Sequence, residues 1–314
     1  MSQLPNIILS TQRPIAKPTK IPSLSPKLPT NSPQSQPPLT NRALLALAAE
    51  ELPTWLAGPY AILLQLASPS IALGSHAHSR FTSDPISRFL RTAVFILAVT
   101  HGTPQQLSAV TGIITKQHAH VRGRDYNARN AELQKWTAAT LFVAQRKGRM
   151  VFGEGSRAVG LRSREEMEGL CMESGRFASV LDMPGEMWPR GLDEFEEYFA
   201  REMERIEREG VSAVSAEVGK VLLFGLGLPW WLAWVMVGVR VVVARWLPQG
   251  MRRAYGLGDP NEWGMWLGYW TVVWWAWGLN WVMPGFVKRG VNREMLGFMV
   301  KAAEDIERTG RWTM

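Results

Sequence analysis

Cysteine is almost absent from this sequence: Cys171 is the only one in 314 residues. A single cysteine excludes an intramolecular disulfide, so the chain carries nothing that requires an oxidising compartment. It also excludes a C-x-x-C attachment of a prosthetic group and a zinc site built from several cysteines. Cys171 as a thiolate ligand is an alternative, but a lone buried thiol ordinarily serves packing.

Acidic residues are absent before Glu50, and the first 41 residues are rich in Pro, Ser and Thr. A segment of this composition cannot bury a core, so we predict a disordered tail over residues 1–41 and one folded domain over residues 42–314. A mitochondrial transit peptide is also poor in acids, although the prolines oppose the amphipathic helix that it needs. The apolar run at Ile7–Leu9 is too short for a secretory signal. We expect an intracellular location, with endomembrane association or a mitochondrial location as alternatives.

Clusters of basic residues are also lacking, although 35 Lys and Arg outnumber 27 Asp and Glu and give a formal charge of +8. Scattered cations without a nucleic-acid-binding motif do not predict a nucleic-acid partner. Positive charge beside apolar segments fits an anionic membrane surface better.

Two stretches have no charged residue at all, over residues 221–239 and 263–287, and most of the 15 tryptophans lie in this half of the chain. Each is long enough for a membrane helix, as a two-pass hairpin or a shallow pair, and each also fits a buried helix that covers the core. Gly225, Gly227 and Pro229 interrupt the first stretch, and tryptophan is spread through the second. Both features favour burial or a shallow insertion.

A helical hairpin is predicted near the middle of the chain. Asp84 and Pro85 suit the start of a helix that ends near Thr100. Thr103 and Pro104 then cap and open a second helix that ends at Gly123.

The second helix of this hairpin carries a histidine on its apolar stripe. His118 lies on the same face as Ile114 and Val121, whereas His120 points elsewhere. An imidazole on an apolar face needs a partner, because a buried polar group without one is costly. Two interpretations stay open: a core histidine bonded within the protein, and an axial ligand to a buried metal or haem.

Arginine and threonine on the first helix of the hairpin suit a haem pocket. Arg88 and Thr92 are four residues apart and share a face, and Arg91 lies beside it. They offer a cation for a propionate or for oxygen and a hydroxyl for hydrogen bonding; the alternative is a solvated helix face. His76 and His78 lie in a predicted loop and lack further ligands at zinc spacing.

Three more helices are predicted before the uncharged stretches. Asn130 caps a helix that runs to Lys147 and carries Trp136, either as a core residue or against a porphyrin. Ser163 and Glu166 form a capping box for a helix that continues to Val180. On that helix Glu173 is a candidate base or a solvated carboxylate. A charged amphipathic helix over residues 192–210 follows.

Five segments occur in an order and spacing that resemble one family. They are AILLQLASPSIALGSHAHSRFTSDPISRFLRT, QHAHVRG, YNARNAELQKWTAATL, LDMPGEMWP and LPQGMRRAYGL. Together they resemble the MpaB/rubber-oxygenase catalytic domain family, which includes the latex clearing proteins. The resemblance covers roughly Leu52 to Arg293.

The resemblance implies an all-α fold: a single helical domain that holds a b-type haem. It implies that His118, in the family's H-A-x-V-x-G motif, is the proximal ligand of the iron. It also implies that Arg88, Arg91 and Thr92, in an R-x-x-[KR]-T pattern, line the haem site, and Trp136 is a further candidate for cofactor contact.

The activity that the resemblance implies is a haem-dependent oxygenase. Such an enzyme would use dioxygen on an apolar isoprenoid or lipid-like substrate, with oxidative cleavage of a C=C bond as the expected reaction. The alternatives are a non-catalytic haem-binding protein and a membrane-associated scaffold.

Overall fold

The all-α prediction is confirmed by the structure, a computed structural model that describes residues 57–78, 85–152, 164–225, 230–282 and 285–311. These residues form helices and short turns, without a β-strand among them; Arg122 and Asn127 make one isolated bridge. Residues Leu39 to Met314 form one compact unit. The predicted tail, residues 1–41, lies outside the described part of the chain.

The helices are short to medium in length and follow one another closely. In chain order they are α1 (Gly58–Leu66), α2 (Pro69–His78), α3 (Pro85–Thr100), α4 (Pro104–His120), α5 (Ala131–Phe152), α6 (Arg164–Ser174), α7 (Arg176–Ser179), a 3-10 turn (Gly185–Met187), α8 (Leu192–Glu209), α9 (Ala213–Phe224), α10 (Trp230–Trp246), α11 (Gln249–Ala254), α12 (Trp263–Val282) and α13 (Gly285–Thr309).

The core is built around α1, which packs against α5, α9 and α10. In its last turn the carbonyl oxygens of Leu63 and Leu64 accept from Ala67 N, and each oxygen has a second lone pair for a further donor. Two distant side chains donate to them: the hydroxyl of Tyr255 to Leu63 O at 2.8 Å, and the indole of Trp136 to Leu64 O at 3.2 Å. The start of the domain is thereby bonded to its middle and to its C-terminal half.

Helices α3 and α4 are joined by the predicted short turn and pack together, and α13 packs against both. Thr103 caps α4 as expected. Its hydroxyl accepts a hydrogen bond from Gln106 N, and the Gln106 side chain accepts one from Thr103 N, so two amide groups of the first turn are paired.

Several predicted helix boundaries are wrong. His76 and His78 lie in the last turn of α2 and not in a loop, because Pro69 opens a second helix after the break that it causes. The helix predicted to reach Val180 breaks at Gly175, where the ring of Trp188 would meet any Cβ. Ser163, its predicted cap, lies outside the described residues.

The uncharged stretch over residues 221–239 does not form one helix. Helix α9 ends at Phe224, and α10 begins at Trp230. Within the described ranges, no helix combines the length and the apolar character that crossing a bilayer requires.

Candidate functional site

His118 lies in the last turn of α4 with its side chain partly buried, whereas His120 is exposed as predicted. The Nδ1 atom of His118 is out of contact with solvent. The helix that carries it is anchored by Val110, which is fully buried, and by Leu107 and Ile114, which pack against the core. The predicted apolar stripe therefore turns the imidazole toward the protein.

The predicted arginine and threonine lie on the neighbouring helix, α3. Arg91 and Thr92 are both partly buried, and Nε of Arg91 is a buried atom. Arg88 is also in α3, but its side chain lies outside the described residues.

The number of residues between each side chain and the turn gives its position along its own helix. At about 1.5 Å of rise per residue, His118 lies about 21 Å from the turn that joins α3 and α4. On the same scale Arg88 lies at about 18 Å, Arg91 at about 14 Å and Thr92 at about 12 Å. Along their helices, Arg88 is therefore almost as far from the turn as His118, and Arg91 and Thr92 are one to two helical turns nearer to it.

A residue that the sequence did not single out, Asp182, completes the surroundings of His118. Asp182 follows α7 and binds Arg129 through two hydrogen bonds of 2.8 and 3.1 Å. The bonds from Arg129 hold the pKa of the Asp182 carboxyl below its usual value, and the charge of His118 adds to this effect. The carboxylate thus lies within electrostatic range of the candidate ligand. Asp182 belongs to the LDMPGEMWP segment, which was the one signal that could have found it.

The segment after His118 is folded back on α2. Gly123 N donates to Tyr126 O at 2.8 Å, and a Cβ on Gly123 would lie 2.6 Å from the Tyr126 ring, so the motif's glycine is needed for this close approach. The Tyr126 hydroxyl pairs with Nε2 of His78 at 2.8 Å. His78 therefore supports the turn that follows the candidate ligand, and His76 is exposed.

Trp136 packs in the core. Its indole bonds Leu64 O, and its ring stacks on Phe199 with centroids 5.5 Å apart. That Trp136 contacts a porphyrin stays a prediction.

Cys171 is fully buried. Burial raises the pKa of its thiol to about 12, and a thiol in this position serves packing. The carboxylate of Glu173 pairs with Arg176 at 3.5 Å.

Two cavities occur near these residues, and His118 lines neither. One of about 290 Å³ lies beside the segment after α4 and is mostly polar. The other, of about 270 Å³, lies between α6, α7 and the 3-10 turn; Met172, Met183 and Trp188 supply its apolar walls.

The donor groups of the hairpin fit a haem. Among the described residues, no three His, Cys, Asp or Glu side chains come together to hold a metal ion. A haem does not need such a cluster, because the porphyrin supplies the equatorial ligands and one protein histidine completes the attachment. A partly buried imidazole with a guanidinium and a hydroxyl on the adjacent helix is a suitable set.

These features describe an all-α protein in which His118 is the central candidate for a site residue. The chain belongs to the family described as ER-bound oxygenase mpaB/B'/Rubber oxygenase, catalytic domain, whose model matches residues 46–278. The predicted family is thereby confirmed. The match includes α1 to α11 and most of α12, whereas α13 lies beyond it.

Two curated relatives come from mycobacteria: an uncharacterized protein of Mycobacterium bovis and one of Mycobacterium tuberculosis. Each is 24% identical to this chain over 155 residues, which is 46% of this chain. The chain spans 58% of the length of each relative. No solved structure gives a significant match.

Proposed function

We propose that this protein is a haem-dependent oxygenase that uses dioxygen on an apolar isoprenoid or lipid-like substrate, with oxidative cleavage of a C=C bond as its reaction. Membership of a family of oxygenase catalytic domains supports the oxygenase class. The observation that supports haem binding is the placement of His118, a partly buried histidine on a helix that packs against the one carrying Arg88, Arg91 and Thr92.

In this proposal His118 holds the iron through its imidazole. The negative charge of the Asp182 carboxylate would stabilise the positive charge that the imidazole acquires when its nitrogen donates to the iron, and would so make that nitrogen a stronger donor. Arg129 and the Gln134 side chain, which accepts from Asp182 N at 3.1 Å, fix that carboxylate in place. The haem supplies the redox chemistry with dioxygen when it is bound.

The α3 side chains act on the charged groups of the pocket. Arg88 would bind a propionate of the haem or supply a fixed positive charge for the chemistry with dioxygen, as a cation does in a water-poor site. Arg91 has a buried Nε and can perform the same function one turn away. Thr92 supplies a hydroxyl that donates or accepts a hydrogen bond.

The decisive experiment measures haem by pyridine haemochrome and absorption spectroscopy in the wild type, His118→Ala and His120→Ala. His120 is the matched control, because it lies two residues away on the same helix end and is exposed. We expect about one b-type haem per chain in the wild type and in His120→Ala, and loss of haem in His118→Ala. Equal haem content in all three proteins would contradict the ligand assignment.

Absence of haem from the wild type, after expression with a haem precursor, would favour a membrane-associated scaffold. Haem that is bound but never turned over with isoprenoid substrates would favour a non-catalytic haem-binding protein. In the proposed enzyme, Arg88→Ala and Arg91→Ala keep the haem and lose activity.

A further inference from the structure

Helix α12 has its large aromatic side chains on the outside. Trp263, Trp266, Trp270, Trp274 and Trp275 follow one another at helical spacing, and all five are exposed; the exposed fractions reach 81% for Trp263 and 69% for Trp275. We call these five residues the tryptophan face. No charged residue interrupts it, because residues 263–287 contain none.

The inward side of α12 carries small residues. Val273 and Ala276 are buried, and Gly268 lies so close to Val241 of α10 that an added Cβ would be in van der Waals contact. Gly238 of α10 approaches Val272 in the same way. A surface helix ordinarily places apolar side chains inward and polar side chains outward. Helix α12 instead has small residues inward and large aromatic rings outward, without a charged side chain on its outer side.

We propose that the tryptophan face is a docking surface for a phospholipid membrane, with α12 lying in the plane of the lipid-water interface. Indole combines an apolar ring with one N–H donor, and for this reason tryptophan concentrates at that interface. The face spans about 18 Å of a helix about 30 Å long, and this orientation lets its rings reach the lipid together.

The neighbouring surface extends the contact. Trp234 of α10, which packs beside α12, is 71% exposed. Phe224 at the end of α9 is also exposed, and the guanidinium of Arg240 lies 5.0 Å from its ring centroid. An aromatic ring and a cation together suit the boundary between acyl chains and head groups.

The charge around the tryptophan face selects lipid over a second copy of the chain. Between Lys220 and Arg293 the sequence has eight Lys and Arg and only two acids, Asp259 and Glu262. Arg245 lies at the start of the face, where it bonds Asn261 at 3.5 Å. Two such surfaces would repel each other, whereas anionic head groups attract them. The proposal does not depend on haem.

The test is flotation of the purified full-length protein with vesicles of phosphatidylcholine alone and with about 30% phosphatidylserine. We expect binding to both, stronger for the anionic vesicles. High salt should weaken the binding without abolishing it, because burial of indole is not screened. The double variant Trp274→Ser/Trp275→Ser should bind at least about tenfold more weakly.

The control is Met172→Ser, which removes an exposed apolar side chain from α6 and should leave binding unchanged. Circular dichroism of each variant detects misfolding, and its haem content detects failure of the haem proposal. Loss of docking is thereby distinguished from both. Three results would overturn the proposal: no binding to either vesicle, binding that the double variant retains, or a stable dimer that replaces vesicle binding and is lost in the double variant.

Discussion

The surroundings of Cys171 make its thiol unreactive in the folded protein. Its side chain is fully buried in α6, and burial raises the pKa of the thiol to about 12. Only the thiolate is nucleophilic, so at about pH 8 only about one molecule in ten thousand would carry the reactive form. The nearby Trp188 indole donates to Cys171 O at 2.9 Å and closes the site further.

We therefore expect Cys171 to resist maleimide or a disulfide reagent in the folded protein and to react completely in denaturing guanidinium. The measurement is the number of thiols labelled per chain over time by mass spectrometry. Rapid labelling of the native protein would show that α6 opens readily or that the thiol is exposed.

At the residue scale, the sequence predicts His118 and the Thr103 cap because each depends on neighbours a few residues away. The pairing of His78 with Tyr126 joins positions 48 apart, and Asp182 comes near His118 only through the fold. Such long-range pairs leave no periodic pattern along the chain, so spacing alone could not find them.

The packing of α9 against Tyr255 depends on a glycine. Gly219 of α9 faces the ring of Tyr255, and a Cβ at this position would overlap that ring. Tyr255 cannot retreat, because it is fully buried and its hydroxyl is bonded to Leu63 O. Gly112 of α4, by contrast, has no atom within 4 Å of an added Cβ.

The substitution Gly219→Ala should lower the free energy of unfolding by about 1–2 kcal/mol, because overlap outweighs the better helix propensity of alanine. Gly112→Ala is the control and should raise stability by about 0.5–1 kcal/mol. Urea denaturation followed by circular dichroism measures both. Stabilisation by both substitutions would show that Tyr255 has room to move.

At the element scale, the periodicity of α8 predicts its buried side, and Phe195, Tyr198 and Ile206 are indeed buried. The same kind of argument fails for α12. Its residues are apolar on every side, so no periodic contrast shows which side packs against α10 and which carries exposed indoles.

The whole domain behaves as one packing unit, from Leu39 to Met314. Helix α13 belongs to it although it lies outside the family match. Ile306, 1% exposed, and Ala302 and Ala303 are buried, and the helix packs against the α3–α4 hairpin that carries His118.

Ile306→Ala should therefore destabilise the entire domain by about 2–4 kcal/mol, the usual effect of truncating a buried isoleucine. Phe298→Ala on the same helix is the control; Phe298 is 50% exposed, so a small effect is expected. Urea transitions monitored by tryptophan fluorescence and by far-ultraviolet circular dichroism should coincide and shift together. A separate early transition in Ile306→Ala would show that α13 unfolds independently.

The hydrogen bond from Tyr255 to Leu63 also determines when the protein can finish folding. It joins residues 192 positions apart, and both groups are buried. Contacts of such separation form late, because a long loop must close first. On the ribosome, α1 emerges long before Tyr255 is made, at about 5–20 residues per second. For many seconds Leu63 O therefore has only its local donor, Ala67 N, and the core around α1 stays incomplete until Tyr255 is made.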